Sequence, residues 1–343
     1  MALFSHRMDR KDIIAIGGSA GSGAVLRRLF AELPAELPAS LLITTHIPSH
    51  SDGYLASMLG KAGPFPVSEA LDGQPVEPGR AYVAAPDRHL LVIDGALRLG
   101  EGPRENMARP AIDPLFRSAA LEYGPRAVGV VLTGMLNDGA AGLSAIKACG
   151  GTAIVQHPLD AHADPMPLAA LEAVEADHVV NAAGLAGLLA EIAGTDAGAA
   201  PQCPDGIALE VEIAMDGRLG SEKLSRIARP SALSCPDCYG VLSEVEGQTP
   251  LRFRCQIGHA YTAETLATRT EEVDEALRIA LRMMEERVTL VTRMAEDGRL
   301  AGRRAVADLY EARAAEYTRY ARTLREAASL SLRMGRARRE QEM

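Results

Sequence analysis

Ile13-Ile14-Ala15-Ile16-Gly17-Gly18-Ser19-Ala20-Gly21 leads an apolar run into a glycine-flanked serine, and Val25, Leu26, Leu29 and Phe30 follow at helical spacing. That is a strand, a tight turn and a helix. Glycines at such a turn permit backbone angles closed to other residues, and the following helix start aims N–H groups at negative charge beside the serine oxygen, which points to acyl transfer. The same pattern also occurs in phosphate cradles and helix caps. Gly18 and Gly23 have the outer spacing of a triphosphate loop, but Ala24 and Val25 stand where Lys and Ser or Thr are required. A dinucleotide turn needs Gly-x-Gly-x-x-Gly, whereas this run gives Gly18-x-x-Gly21-x-Gly23.

Working outward, strand-like runs alternate with helical patterns from Lys11 to about Gly194. Ile13–Ile16, Leu41–Thr45, Ala81–Ala84, Ala127–Leu132, Thr152–Val155 and His178–Val180 read as strands, and Ala24–Glu32, Asp113–Glu122 and Ala140–Ala148 as helices. Such alternation predicts an α/β fold, a doubly wound and mostly parallel sheet covered on both faces. Asp94-Gly95, between two short apolar runs, predicts a hairpin and hence a mixed edge.

The chain has 343 residues, 47% of them hydrophobic, enough for a sizeable core in two or three domains. With no Trp and five Phe, that core must be aliphatic. A net charge of −9 opposes binding to nucleic acid or anionic membranes. The N-terminal dozen residues lack the apolar core of a signal peptide and no run is long enough to span a bilayer, so a cytoplasmic protein without membrane insertion is expected. In a reducing cytosol the isolated Cys149 and Cys203 are expected to be unpaired.

Serine is a poor nucleophile unless an imidazole takes its proton and an acid fixes the imidazole. His46 ends the second apolar run and Asp138 follows the run Val130–Leu132, so three strand ends would present Ser19, His46 and Asp138 to one crevice. The order Ser, His, Asp differs from that of the α/β-hydrolases. Read alone, His46 is equally a strand-end histidine and Asp138 a helix N-cap.

Residues 11–195 resemble the catalytic domain of the CheB-type chemotaxis receptor methylesterases. The resemblance rests on Ile16-Gly17-Gly18-Ser19-Ala20-Gly21-Ser22, Thr45-His46, Tyr82-Val83-Ala84-Ala85-Pro86-Asp87-Arg88-His89-Leu90, Arg109-Pro110-Ala111-Ile112-Asp113-Pro114-Leu115-Phe116 and Thr133-Gly134-Met135-Leu136-Asn137-Asp138-Gly139-Ala140. It implies a triad of Ser19, His46 and Asp138. It also places Met135 at the active site, its N–H joining those of the Ser19 turn, Ala20 included, as oxyanion donors. The implied reaction is hydrolysis of γ-glutamyl methyl esters on methylated chemoreceptors, with glutamine deamidation in some members, alongside a receptor methyltransferase and without a catalytic cofactor. The first catalytic strand begins near Asp12, leaving no room ahead of it for the family's usual receiver, so direct phosphorylation is not expected to regulate this chain.

Other polar residues read differently. His89 and Arg88 either line the cleft or pack. Asp113, before Pro114, reads as a helix cap, Pro165-Met166-Pro167 as a rigid turn, and His157, His162 and His178 complete no ligand pattern.

Gly, Ala, Asp and Pro between Gly194 and Gly206 predict a linker, residues 196–230 in all, with one half-buried strand over Leu209–Met215. Residues 231–262 hold Cys235-Pro236-Asp237-Cys238 and Cys255-Gln256-Ile257-Gly258-His259, three thiols and an imidazole at zinc-ligand spacing, with Gly240 and Gly247 shaping a hairpin between them. A redox Cys-x-x-Cys lacks its thioredoxin-like surroundings. Cys235, Cys238, Cys255 and His259 therefore predict a structural zinc ribbon, similar to extensions on some receiver-free relatives. Residues 263–343 carry Val273, Leu277, Leu281, Met284, Val288, Val291 and Met294 at steps of three or four, and Gly298 and Gly302 then punctuate an antiparallel helical hairpin. Two other functions fit the sequence: a scaffold in which the hydrolase fold merely binds signalling partners, and an esterase for a different substrate.

Overall fold

The computed structural model describes residues 10–47, 53–216, 220–246, 249–268 and 271–341. Its elements are β1 (Ile13–Gly18), α1 (Ser22–Glu32), β2 (Ser40–Thr45), α2 (Tyr54–Gly60), β3 (Val67–Glu69), β4 (Ala81–Val83), β5 (His89–Ile93), β6 (Ala96–Gly100), α3 (Ile112–Tyr123), β7 (Ala127–Val131), α4 (Ala140–Ala148), β8 (Thr152–Gln156), α5 (Pro165–Ala173), β9 (His178–Val180), α6 (Ala182–Ile192), α7 (Asp205–Asp216) and α8 (Gly220–Leu224). Then come β10 (Ala228–Ser234), β11 (Val241–Val245), β12 (Arg252–Cys255), β13 (Ala260–Thr262), α9 (Ala263–Thr268), α10 (Glu271–Leu300) and α11 (Arg304–Gln341).

Seven strands form a parallel sheet in the order β3-β4-β2-β1-β7-β8-β9. Side chains alternate across it. Ile14, Ile16, Leu41, Ile43, Val128 and Val130 pack under α1, α2 and α6, while Ile13, Ala15, Leu42, Val131, Ala153 and Val155 pack under α3, α4 and α5. Both faces are therefore buried, which explains the continuous apolar runs. The chain leaves β1 for β2 on one side and later returns to β7 on the other, so the winding reverses beside β1, where open α/β sheets bind ligands. β5 and β6 form a hairpin through Asp94 and Gly95, both at positive φ, as the turn signal predicted. It stands apart as a two-stranded sheet, however, so the seven-stranded sheet lacks the expected mixed edge among the described residues.

The strand expected over Leu209–Met215 is instead part of helix α7. The alternation that suggested it set Glu210 and Glu212 on a solvent face. Glu210 is in fact fully buried among Arg117, Arg252 and Arg254, and Ile207, Glu210, Val211 and Ala214 share one helical face. Cys149 and Cys203, expected to be unpaired, form a disulfide. Cys149 closes α4, and Pro201 packs on Gly150, which carries the chain past Cys149 again 54 residues later. Pro165-Met166-Pro167, expected as a turn, begins α5 with proline in its first turn, where the missing N–H is harmless.

β10, β11, β12 and β13 form a second, antiparallel sheet, and Gly247 of the expected hairpin lies outside the described residues. This sheet belongs to the same compact unit as the parallel one. Arg254 reaches Glu105 and Glu210, Arg252 makes a paired contact with Glu210 at 2.7 and 2.8 Å, and Arg117 pairs with both carboxylates. Burial opposes ionisation of Glu210, yet Arg252 and Arg117 hold its carboxyl far below the ordinary range.

Residues from Ala267 form a separate unit in which α10 and α11 make a helical hairpin. Val291, Ala295, Ala307 and Ala321 are its buried contacts. Gly298 lies inside α10, packed on Ala307, so Gly302 alone makes the turn, at φ 72°.

Candidate active site

Ser19 sits between the end of β1 and the start of α1. Its N–H donates to Thr133 O at 2.9 Å, and its carbonyl accepts from Ser22 N and Ser22 Oγ. The turn is closed by Gly21 at φ 81°, where a Cβ would stand 2.6 Å from that of His162. Gly134 permits the closest approach, since a Cβ there would lie 2.9 Å from the Ser19 Cβ and 2.7 Å from Met166. Thr133 ties the loops together. Its Oγ donates to Ala20 O, and its N–H donates to the buried Gln156 side chain.

His46 follows β2, the neighbour of β1, and its Nε2 lies 2.7 Å from Asp138 Oδ2. Asp138 follows β7, the other neighbour of β1. Ser19, His46 and Asp138 line one cleft of about 320 Å³ together with Asn106, Met107 and Met135. With Nε2 committed to the carboxylate, Nδ1 is the ring nitrogen left to accept the Ser19 hydroxyl proton.

Asp138 is not the N-cap of the helix that follows it. Its oxygens accept Ile112 N–H at 2.7 Å and Asp113 N–H at 3.2 Å, at the start of α3, and Asn106 Nδ2 at 3.2 Å. Burial works to raise its pKa. His46, Ile112 N–H and the Asn106 amide together hold it below the ordinary carboxylate range. Asp113 caps a helix as expected, but α4 rather than its own, accepting Gly139 and Gly142 N–H at 3.0 and 2.6 Å. Burial first, and the Asp138 charge second, push Asp113 up to about 7.

Ser19 N–H is spent on Thr133, so it is no oxyanion donor. The amides of Ala20, next to Ser19, and of Met135, which lines the cleft, take no acceptor among the described residues. His89 is a packing residue. It is buried, accepts Ala111 N–H at Nδ1 and donates from Nε2 to Pro103 O, and burial lowers its pKa. Arg88 faces Glu101 and Asp87. The sequence reading missed Asn106 altogether, since Arg104-Glu105-Asn106-Met107 has no periodicity or motif to mark it.

Cys235, Cys238, Cys255 and His259 bring one donor atom each to a cluster whose atoms all lie within 4.8 Å of one another. Cys235 Sγ and Cys255 Sγ stand 3.6 and 3.5 Å from His259 Nδ1, and Cys238 Sγ is 3.6 Å from Cys255 Sγ. A tetrahedron with ~2.3 Å zinc–sulfur bonds has edges of about 3.8 Å. The donor set therefore fits zinc in both chemistry and size.

The profile of the CheB methylesterase family matches residues 14–189. The chain belongs to that family. A putative protein-glutamate methylesterase/protein-glutamine glutaminase of Leptospira interrogans is 38% identical over 171 residues, 50% of this chain and 89% of that one. Protein-glutamate methylesterase/protein-glutamine glutaminase 1 of Rhodospirillum rubrum is 40% identical over 154 residues, covering 43% of this chain and 40% of that relative. The crystal structure of the Thermotoga maritima CheB methylesterase catalytic domain superposes with a TM-score of 0.51 at 33% identity, over 52% of this chain and 97% of that domain. The CheB region thus carries the parallel sheet and the Ser19 cleft. The second sheet and the helical hairpin lie beyond residue 189.

Proposed function

We propose that this protein is a serine hydrolase that demethylates γ-glutamyl methyl esters of chemoreceptors in a chemotaxis-like pathway. Ser19 Oγ attacks the ester carbonyl while its proton passes to His46 Nδ1, and Asp138 holds the ring through Nε2–H. The oxyanion is met by the N–H groups of Ala20 and Met135. Collapse expels methoxide, which takes the proton from His46 and leaves as methanol. Water then attacks the acyl-serine through the same imidazole, releasing glutamate and restoring Ser19. A glutamine side chain enters the same cycle with ammonia as the leaving group, as the double name of the relatives suggests. The reaction uses no cofactor. The observation that carries this reading is the 2.7 Å contact of His46 with a buried Asp138 in the cleft shared with Ser19.

Cys235, Cys238, Cys255 and His259 would hold a structural zinc, which leaves no ligand position open for chemistry and ties the ends of the small sheet together. No helix among the described residues is long and apolar enough to cross a membrane. The reading places the enzyme in the cytoplasm, meeting receptors at their cytoplasmic face, opposite a receptor methyltransferase.

A serine-directed phosphonate tests the nucleophile without a choice of ester. It should label the peptide containing Ser19, and His46→Ala should suppress the labelling; modification elsewhere, or equal labelling of the variant, contradicts the assignment.

A further inference from the structure

Asn106 stands between the small sheet and the triad. It is buried, on a two-residue turn with Met107 in which both have positive φ, 48° and 66°, and Glu105 and Ala108 exchange backbone hydrogen bonds across it. Its side chain faces two carboxylates on one side, with Nδ2 at 3.1 Å from Asp113 Oδ2 and 3.2 Å from Asp138 Oδ1. On the other side Oδ1 accepts the backbone N–H of Thr262, the last residue of β13, at 3.1 Å.

An amide has one donor end and one acceptor end. A backbone N–H can only donate, so Thr262 N–H claims Oδ1 and turns the NH₂ group towards Asp138 and Asp113. Reversed, the amide would set an oxygen against two buried carboxylates and leave Thr262 N–H facing an NH₂. The backbone repeats the link, with Asn106 N donating to Ala260 O at 2.9 Å. The residue before Asp138 is gripped by the same segment. Asn137 Oδ1 accepts from Thr262 and Thr265 hydroxyls at 2.7 and 3.0 Å, and its Nδ2 donates to Glu264 at 2.8 Å.

β13 starts one residue after His259, and Tyr261 within it reaches Cys235 Sγ and Asp237. Its path is thus set by the thiol–imidazole cluster.

We propose that Asn106 is a positioning residue of the Ser19-His46-Asp138 triad, its donor end aimed at Asp138 by the β13 segment of the zinc-binding module. The C-terminal module is then part of the outer wall of the active site. This inference rests on the serine-hydrolase reading above.

The test uses the full chain with its zinc. Asn106→Gly keeps the positive-φ turn without strain and deletes the amide, while Asn106→Asp keeps the acceptor for Thr262 but replaces the donor with an oxygen. Methanol release from methylated receptor membranes should show kcat reduced about 10- to 100-fold in Asn106→Gly, with KM within about twofold. Asn106→Asp should be slower still. A packing role gives the opposite order, because Asp preserves more of the side chain. Equal kcat in wild type and Asn106→Gly, or Asn106→Asp faster than Asn106→Gly, overturns the proposal; should Asn106→Asp fail to fold, Asn106→Gly decides alone.

Hydrogen exchange over residues 104–108 supplies a readout without substrate. Chelation of zinc from the wild type should raise exchange there, and unchanged protection removes the link to the module. If wild type releases no more methanol than Ser19→Ala, the hydrolase reading fails and the positioning role falls with it, whereas the exchange result still judges the link itself.

Discussion

Asp113 and Asp138 each cap the helix that the other begins. Asp138 accepts Ile112 and Asp113 N–H at the start of α3, and Asp113 accepts Gly139 and Gly142 N–H at the start of α4. The proposed triad acid is therefore fixed at the N-terminus of α3, whose positive end suits a buried carboxylate. Two acids this close and this buried do not ionise equally. Asp138 is held low and Asp113 is pushed up to about 7.

Asp113→Ala should destabilise the protein by about 2–4 kcal/mol, from the two lost capping hydrogen bonds of α4 and its unsatisfied buried amides. The loss should depend on pH with a defined sign. Because the folded-state pKa of Asp113 is raised, its contribution is complete below the ordinary aspartate range and declines as pH rises towards about 7. Urea titrations at several pH values should show the gap between wild type and variant narrowing as pH rises, and a gap that widens contradicts the assignment.

Gly134→Ala places a methyl against the Ser19 Cβ and Met166. The serine is displaced while the fold survives, so kcat should fall by about 100-fold or more for a stability loss of about 1–3 kcal/mol. Activity near wild type would mean that the Ser19 turn does not need this close approach.

Glu210→Gln removes the charge facing Arg117, Arg252 and Arg254 in a buried network. About 3–5 kcal/mol of stability should be lost. Replacing the guanidinium partners is expected to couple non-additively with it, and a double-mutant cycle giving simple additivity would show the charges to be independent.

Purified protein should contain about one equivalent of zinc, lost in Cys238→Ser. Zinc is expected to supply on the order of 10 kcal/mol to folding the module, so chelation should unfold β10–β13 first. A module that stays folded without metal would contradict the four-ligand site.

The parallel sheet was legible because strands buried on both faces read as unbroken aliphatic runs, and the Ser19 turn because its glycines are obligatory. Strand ends also announced His46 and Asp138. What escaped had no local signature. Glu210 made a helix look like a half-exposed strand because its buried partners lie on β12 and α3, far away in sequence. Cys149 and Cys203 looked isolated because chain separation hides their meeting. Asn106 acts through a backbone N–H of β13, a contact that belongs to the tertiary fold alone.

Ser19 is proposed to hydrolyse receptor methyl esters. This role is tested by methanol release from membranes whose receptors were methylated by their own methyltransferase, comparing wild type with Ser19→Ala. Wild type should release methanol steadily, and the folded variant should lose about four to six orders of magnitude in rate. Equal release by both proteins, or none by zinc-loaded and folded wild type, would contradict it.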